Sequence, residues 1–261
     1  MAIVPLIKSV IILGIGAVLI GGTGVGANFL FGAQEPFRST LETVDDGKYA
    51  SDYKRYFVDN TKNENDKWWD WVFEMRYEFD KNDEESKRHS ALTKFIGLTS
   101  GSAKDKSLKK VCGDSYKEST DNVVSKTNNS IDSQKYSEDD VWRYCSIFGS
   151  KPKTLKEVSS ETTRAENTFA KTKESDLIDT NYEGNEKFWN EQNKYFFSLQ
   201  ESELENSSMF KNLYKKEFKG QNDTIRDVCA EAYKKQSNGN TDSNAEVKET
   251  ELLKFCSLKG K

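Results

Sequence analysis

The sequence predicts an all-α protein: one N-terminal transmembrane helix followed by two tandem, internally duplicated helical-bundle domains. Three observations carry that expectation. The stretch from Ser9 to Phe31 contains no charge and is bracketed by Lys8 and Glu35. At a helical rise of about 1.5 Å per residue it is long enough to cross a bilayer. The chain as a whole is polar, with 31% charged residues, a mean hydropathy of −0.81 and only 3 Pro, which favours helices. Finally, one series of short motifs occurs twice in the same order. The expected boundaries are 1–34 for the membrane segment, 35–150 for the first copy and 151–261 for the second.

The first segment is a signal peptide or a retained signal anchor. Its apolar run exceeds an ordinary signal-peptide core, which favours retention, while small residues at Gly24–Ala27 and Gly32–Ala33 leave cleavage open. Lys8 on the N-terminal flank orients the bulk of the chain outward by the positive-inside rule. The expectation is a single-pass protein of the cell membrane, anchored through residues 9–31, with the rest extracytoplasmic. Gly22-Thr-Gly24-Val-Gly26 superficially matches a dinucleotide-binding loop but lacks the strand before it and the acid after it. Gly22 and Gly26 are also spaced to let two membrane helices approach, a route to homo-oligomers.

The duplication is visible residue by residue. Val58-Asp59 returns as Ile178-Asp179, and Lys67-Trp68-Trp69-Asp70 as Lys187-Phe188-Trp189-Asn190. Leu108-Lys-Lys-Val111-Cys112 with Tyr116 returns as Ile225-Arg-Asp-Val228-Cys229 with Tyr233. Val141-Trp142-Arg143-Tyr144-Cys145-Ser146 with Gly149 returns as Leu252-Leu253-Lys254-Phe255-Cys256-Ser257 with Gly260. The length differences between copies fall in the polar stretches, as loops behave.

Within each copy the first element is expected to be a helix spread over 35–57 or 155–176, with a weaker pattern than the rest. In the next, Trp68, Val72, Met75 and Phe79 fall on one helical face, and Phe188, Tyr195 and Leu199 repeat it with Gln192 at the remaining position. The cysteine helix places Leu108, Val111, Cys112 and Tyr116 on a face that Ile225, Val228, Cys229 and Tyr233 reproduce. The last helix carries Val141, Trp142 and Cys145, with Ser137 and Asp140 as its capping signal. Gly149 and Gly260 are expected to end the two last helices. The polar runs Ser119–Ser137 and Gln236–Lys248 are expected as surface loops, and Gly149–Ser160, with Pro152, as the linker.

One disulfide per copy follows from the duplication. Four cysteines allow three connectivities, and the repeat favours Cys112 with Cys145 and Cys229 with Cys256; four buried free thiols are the alternative. Such staples suit a small core facing outward. A zinc site is not expected, since there is no C-x-x-C spacing and a single histidine.

Neither catalytic nor cofactor-binding residues emerge. His89, in a charged stretch, is expected as an exposed side chain. Asp59 and Asp179 are preserved by the duplication and could serve as paired carboxylates, but an acid closing an apolar run is more simply a turn or cap residue. Trp69 and Trp189 occupy a repeated position expected in the core, with Trp71 the exposed exception. The 39 basic and 43 acidic residues form no net basic face for nucleic acid.

A glycine-rich N-terminal apolar segment, Val58-Asp59, Trp69, Leu108-Lys109-Lys110-Val111-Cys112 and the closing Tyr144-Cys145 together resemble the paralogous, membrane-anchored surface protein families of haemotropic mycoplasmas. Those families often close on Trp-Cys, where this chain has Tyr144-Cys145 and Phe255-Cys256. The resemblance implies antigen display or contact with host cell-surface or immune proteins, and no catalytic residues. A self-associating structural membrane protein ranks next, and an extracytoplasmic hydrolase last.

Overall fold

The computed structural model describes residues 34–82, 89–103, 105–125, 132–158, 164–217, 222–237 and 247–260. The candidate span at 9–31 lies outside them. Among the described residues no helix is long and apolar enough to cross a membrane.

The chain is predominantly helical, with one very small sheet. In the first copy α1 spans Asp66–Val72, a π-helical turn spans Phe73–Glu78, and α2 spans Phe79–Asn82. Next come α3 at Leu108–Tyr116 and α4 at Glu138–Cys145. The second copy holds α5 at Leu155–Val158, α6 at Phe169–Thr172, α7 at Glu186–Ser198 and α8 at Met209–Tyr214. It ends with α9 at Ile225–Tyr233 and α10 at Glu249–Cys256. Both copies belong to one unit that runs from Pro36 to Lys261.

Side-chain caps start α3, α4 and α9. Ser107 accepts from the Lys110 amide at α3, and Ser137 from the Asp140 amide at α4. Thr224 and Asp227 form a reciprocal capping box at α9. Glu138, Asp139 and Asp140 place three acids in the first turn of α4, where the helix dipole favours them. The helices then bury Leu108, Cys112 and Tyr116, matched by Ile225, Cys229 and Tyr233, and Val141, Trp142 and Cys145, matched by Leu252 and Cys256.

At the centre of each copy lies a short extended segment, the apolar-Asp step. Phe57 bridges Ser146 and Val58 bridges Thr40; in the second copy Leu177 bridges Ser257 and Ile178 bridges Thr154. The Val58 amide donates to the Cys145 carbonyl at 3.0 Å and the Ile178 amide to the Cys256 carbonyl at 2.9 Å. Thr154 therefore already belongs to the second copy, and the connection between copies is shorter than the sequence implied.

Several expectations change. The face through Trp68, Val72, Met75 and Phe79 does not persist, and Phe79 is 42% exposed. The π-helical turn adds a residue per turn and rotates the buried side onto Arg76, Tyr77 and Asp80. In the unbroken α7 the buried set is Phe188, Trp189, Gln192 and Phe196, with Tyr195 and Leu199 at its margin. The opening helices are only 3-10 turns at Tyr49–Asp52 and Lys54–Tyr56, and the short α5 and α6. The sheet arises where a loop was expected: β1 (Val123–Val124) pairs in parallel with β2 (Tyr136–Ser137). Gly149 and Gly260 do not end the helices, since Ser146 and Ser257 are already extended. They take φ of 79° and 69° in the turn beyond, each amide donating at 3.1 Å to that serine's hydroxyl.

Candidate functional site

The cysteines pair within copies. Cys112 joins Cys145 and Cys229 joins Cys256, with Cα separations of 5.6 and 5.9 Å. Each disulfide ties the cysteine helix to the last helix (α3 to α4, α9 to α10). Such bonds are those of an oxidising, extracytoplasmic environment.

Around each disulfide the same polar framework recurs. The Tyr116 phenol donates to the Val58 carbonyl at 3.0 Å and to the Cys145 carbonyl at 3.3 Å. Tyr233 donates to Ile178 at 2.8 Å and Cys256 at 3.4 Å. Burial, then the charge of Asp59 or Asp179, raises both phenols well above their ordinary value, so both stay protonated donors. Asn65, fully buried, accepts the Ser39 amide and donates to the Ser39 and Asp59 carbonyls. Asn185 does the same with Lys153 and Asp179. The motif reading overlooked this asparagine pair, although it recurs at the same separation as Trp69 and Trp189.

Asp59 and Asp179 are not set against each other. Asp59 Oδ1 accepts the Thr61 amide and hydroxyl at 2.8 and 2.7 Å, while Asp179 Oδ1 accepts the Asn181 and Tyr182 amides at 2.7 and 2.8 Å. Each carboxylate closes the turn that leads into the tryptophan helix. Trp69 and Trp189 are buried; the Trp189 indole donates to the Asp179 carbonyl at 3.2 Å, and Trp69 packs edge-on against Trp68. Trp71 is half-buried beside the Arg76 guanidinium.

His89 corrects the sequence reading. Instead of standing in solvent, its Nε2 lies 2.6 Å from Oδ1 of Asp140, a carboxylate with no exposed surface. The other oxygen accepts the Leu92 amide at 2.8 Å, and the imidazole packs edge-on to Tyr144. Asp140 lies far along the chain, and although the second copy keeps a buried acid at that position, Glu251, it has no counterpart to His89, so neither proximity nor repetition pointed to the pair. A second polar network in copy 1 runs from Trp142 Nε1 to the Tyr49 phenol and on to Glu138, both bonds at 2.7 Å. Ser125 and Lys151 complete it at 2.8 and 2.9 Å. Asp80 takes a two-pronged bond from Arg143 and a third from the Tyr144 phenol.

A shallow cleft of about 320 Å³ opens where the copies meet. Thr40, Arg55 and Tyr56 come from the first copy, and Glu191, Lys194, Tyr195 and Ser198 from one face of α7. The Arg55 guanidinium lies 3.5 Å over the Tyr195 ring centre and donates to Gln192 Oε1 at 2.7 Å. Among the described residues no group of His, Cys, Asp and Glu could hold a metal ion. No protein-family model, no curated protein and no solved structure matches the chain.

Proposed function

We propose that the chain is a membrane-anchored surface protein that serves antigen display or host-cell contact and performs no catalysis. Its plan is one membrane helix within residues 9–31, then two tandem helical domains outside the cell. The observation that carries this reading is the division between constant and variable parts. The disulfide, the tyrosine on two carbonyls and the asparagine clamp are the same in both copies. The segments between them are not: α8 stands in copy 2 where copy 1 has the His89–Phe95 stretch, and the small sheet occurs in copy 1. A fixed core that tolerates replaced surface segments suits a protein that diversifies what it presents.

The uncharged Ser9–Phe31 segment and the resemblance to haemoplasma surface families support the same reading. So does the engagement of Asp59 and Asp179 in their own turns, which leaves the hydrolase reading without its pair. The test is protease shaving of intact cells, with non-reducing mass spectrometry of the released peptides. Peptides from 35–261 that include the linked Cys112–Cys145 pair are expected. Protection of that region until lysis, with free thiols, would overturn the proposal.

A further inference from the structure

The junction of the copies carries a polar arrangement that packing alone does not require. Gln192 is fully buried on α7, where the equivalent helix position of copy 1 holds the apolar Val72. Burying an amide is unfavourable unless its groups are bonded. Here Nε2 donates to the Phe255 carbonyl at 3.2 Å, which turns Oε1 toward Arg55 Nη2 at 2.7 Å. The Tyr195 ring supports the guanidinium from below. The plane of Arg55 is thus fixed from two directions, while Gln192 is its single hydrogen-bond partner among the described residues. The corresponding position in copy 2 is Ser175, so the arrangement lies outside the repeated framework.

We propose that this cleft binds a small organic carboxylate, gripped by the free edge of Arg55. A planar guanidinium whose orientation is already set matches the two oxygens of a carboxylate and loses little freedom on binding. Lys194, 72% exposed on the same face of α7, supplies a second cation, and its ion pair with Glu191 at 2.7 Å sets an acceptor beside it. That acceptor suits a ligand hydroxyl or ammonium group and disfavours a multiply charged anion such as phosphate. A volume of about 320 Å³ lies at the small end of ligand sites, the scale of an acidic monosaccharide or amino acid. The inference does not depend on the surface-display reading.

Isothermal titration of the full chain in nonionic detergent would test it, with D-glucuronate and L-glutamate as probes and D-glucose and inorganic phosphate as controls. At least one carboxylate is expected to bind saturably, and more tightly than either control. R55Q should weaken it tenfold or more, and Q192V, which restores the residue type of copy 1, should do so through loss of the brace on Arg55. Circular dichroism and the thermal midpoint separate a lost site from a lost fold, and R55K keeps the charge without the fork. No saturable carboxylate binding, phosphate binding as tight, or undiminished binding in folded R55K and Q192V would overturn the proposal.

Discussion

The Tyr233 phenol donates to the Ile178 carbonyl at 2.8 Å, and Tyr116 repeats the bond to Val58 at 3.0 Å. Each bond locks the cysteine helix onto the central extended segment, and each serves a carbonyl with no access to water. Tyr116→Phe or Tyr233→Phe keeps the ring and strands the oxygen. Each is expected to lower stability by about 1–2 kcal/mol, measured by urea unfolding with the disulfides intact. Equal losses would show that the two copies rely on the bond to the same degree; no loss in either would mean that the ring alone holds the segment.

The disulfides close loops of similar length, with sequence separations of 33 and 27. In the chain-entropy picture each contributes about 3–4 kcal/mol. Replacing Cys112 and Cys145 together by serine should therefore cost nearly as much as replacing Cys229 and Cys256 together. Thermal midpoints of the two double variants, compared with the reduced parent, check this. A large inequality would point to strain or residual structure in one loop rather than to closure entropy.

What the sequence discloses about this fold follows the duplication. Cys112, Tyr116 and Cys145 could be placed because Cys229, Tyr233 and Cys256 repeat their order, with the same step from cysteine to tyrosine, so each inference had a second instance. Features that occur once were hidden. His89 meets Asp140, and Arg55 meets Gln192, only after folding has closed long loops. Neither pair leaves a periodic trace. The rotated face of the first tryptophan helix escaped for a different reason: periodicity counting assumes 3.6 residues per turn, and the Phe73–Glu78 turn does not keep it. Asn65 and Asn185 could have been found, since they recur in register with the tryptophans, but a lone polar residue draws no attention in a hydrophobic pattern.

Glu138 sets an acid limit on the first copy. Burial pushes its carboxyl up, but Lys151, the Tyr49 phenol and the Ser125 hydroxyl outweigh it and hold the carboxyl below its ordinary value of 4.5. The folded state then binds this proton less tightly than the unfolded state. The contribution is complete above about pH 4.5 and disappears as pH falls through the lowered value. Lys151→Met is expected to cost about 1–2 kcal/mol at pH 7, a modest figure because the ammonium is partly exposed. That cost should shrink on acidification below pH 4.5. Urea unfolding of both proteins from pH 7 to pH 3 would show it, and a cost independent of pH would assign Lys151 a packing role.

His89 and Asp140 provide the sharpest electrostatic test. Burial raises the Asp140 carboxyl, and His89, the Leu92 amide and Ser137 pull it back without restoring its ordinary value. His89→Ala removes one of those restraints and leaves a carboxylate with no surface, held by the Leu92 amide on Oδ2 and by Ser137. The expected loss at pH 8 is about 1.5–3 kcal/mol, that of a hydrogen bond withdrawn from a buried charged group. The carboxyl of the variant rises further. Its folded state holds the proton more tightly than the unfolded state, and stability falls as pH climbs through the raised value. The double variant H89A/D140N lacks that group and should stay level over the same range. Urea unfolding of both variants at pH 5 and pH 8 separates the cases: parallel slopes would mean that the Leu92 amide and Ser137 suffice to hold the buried charge.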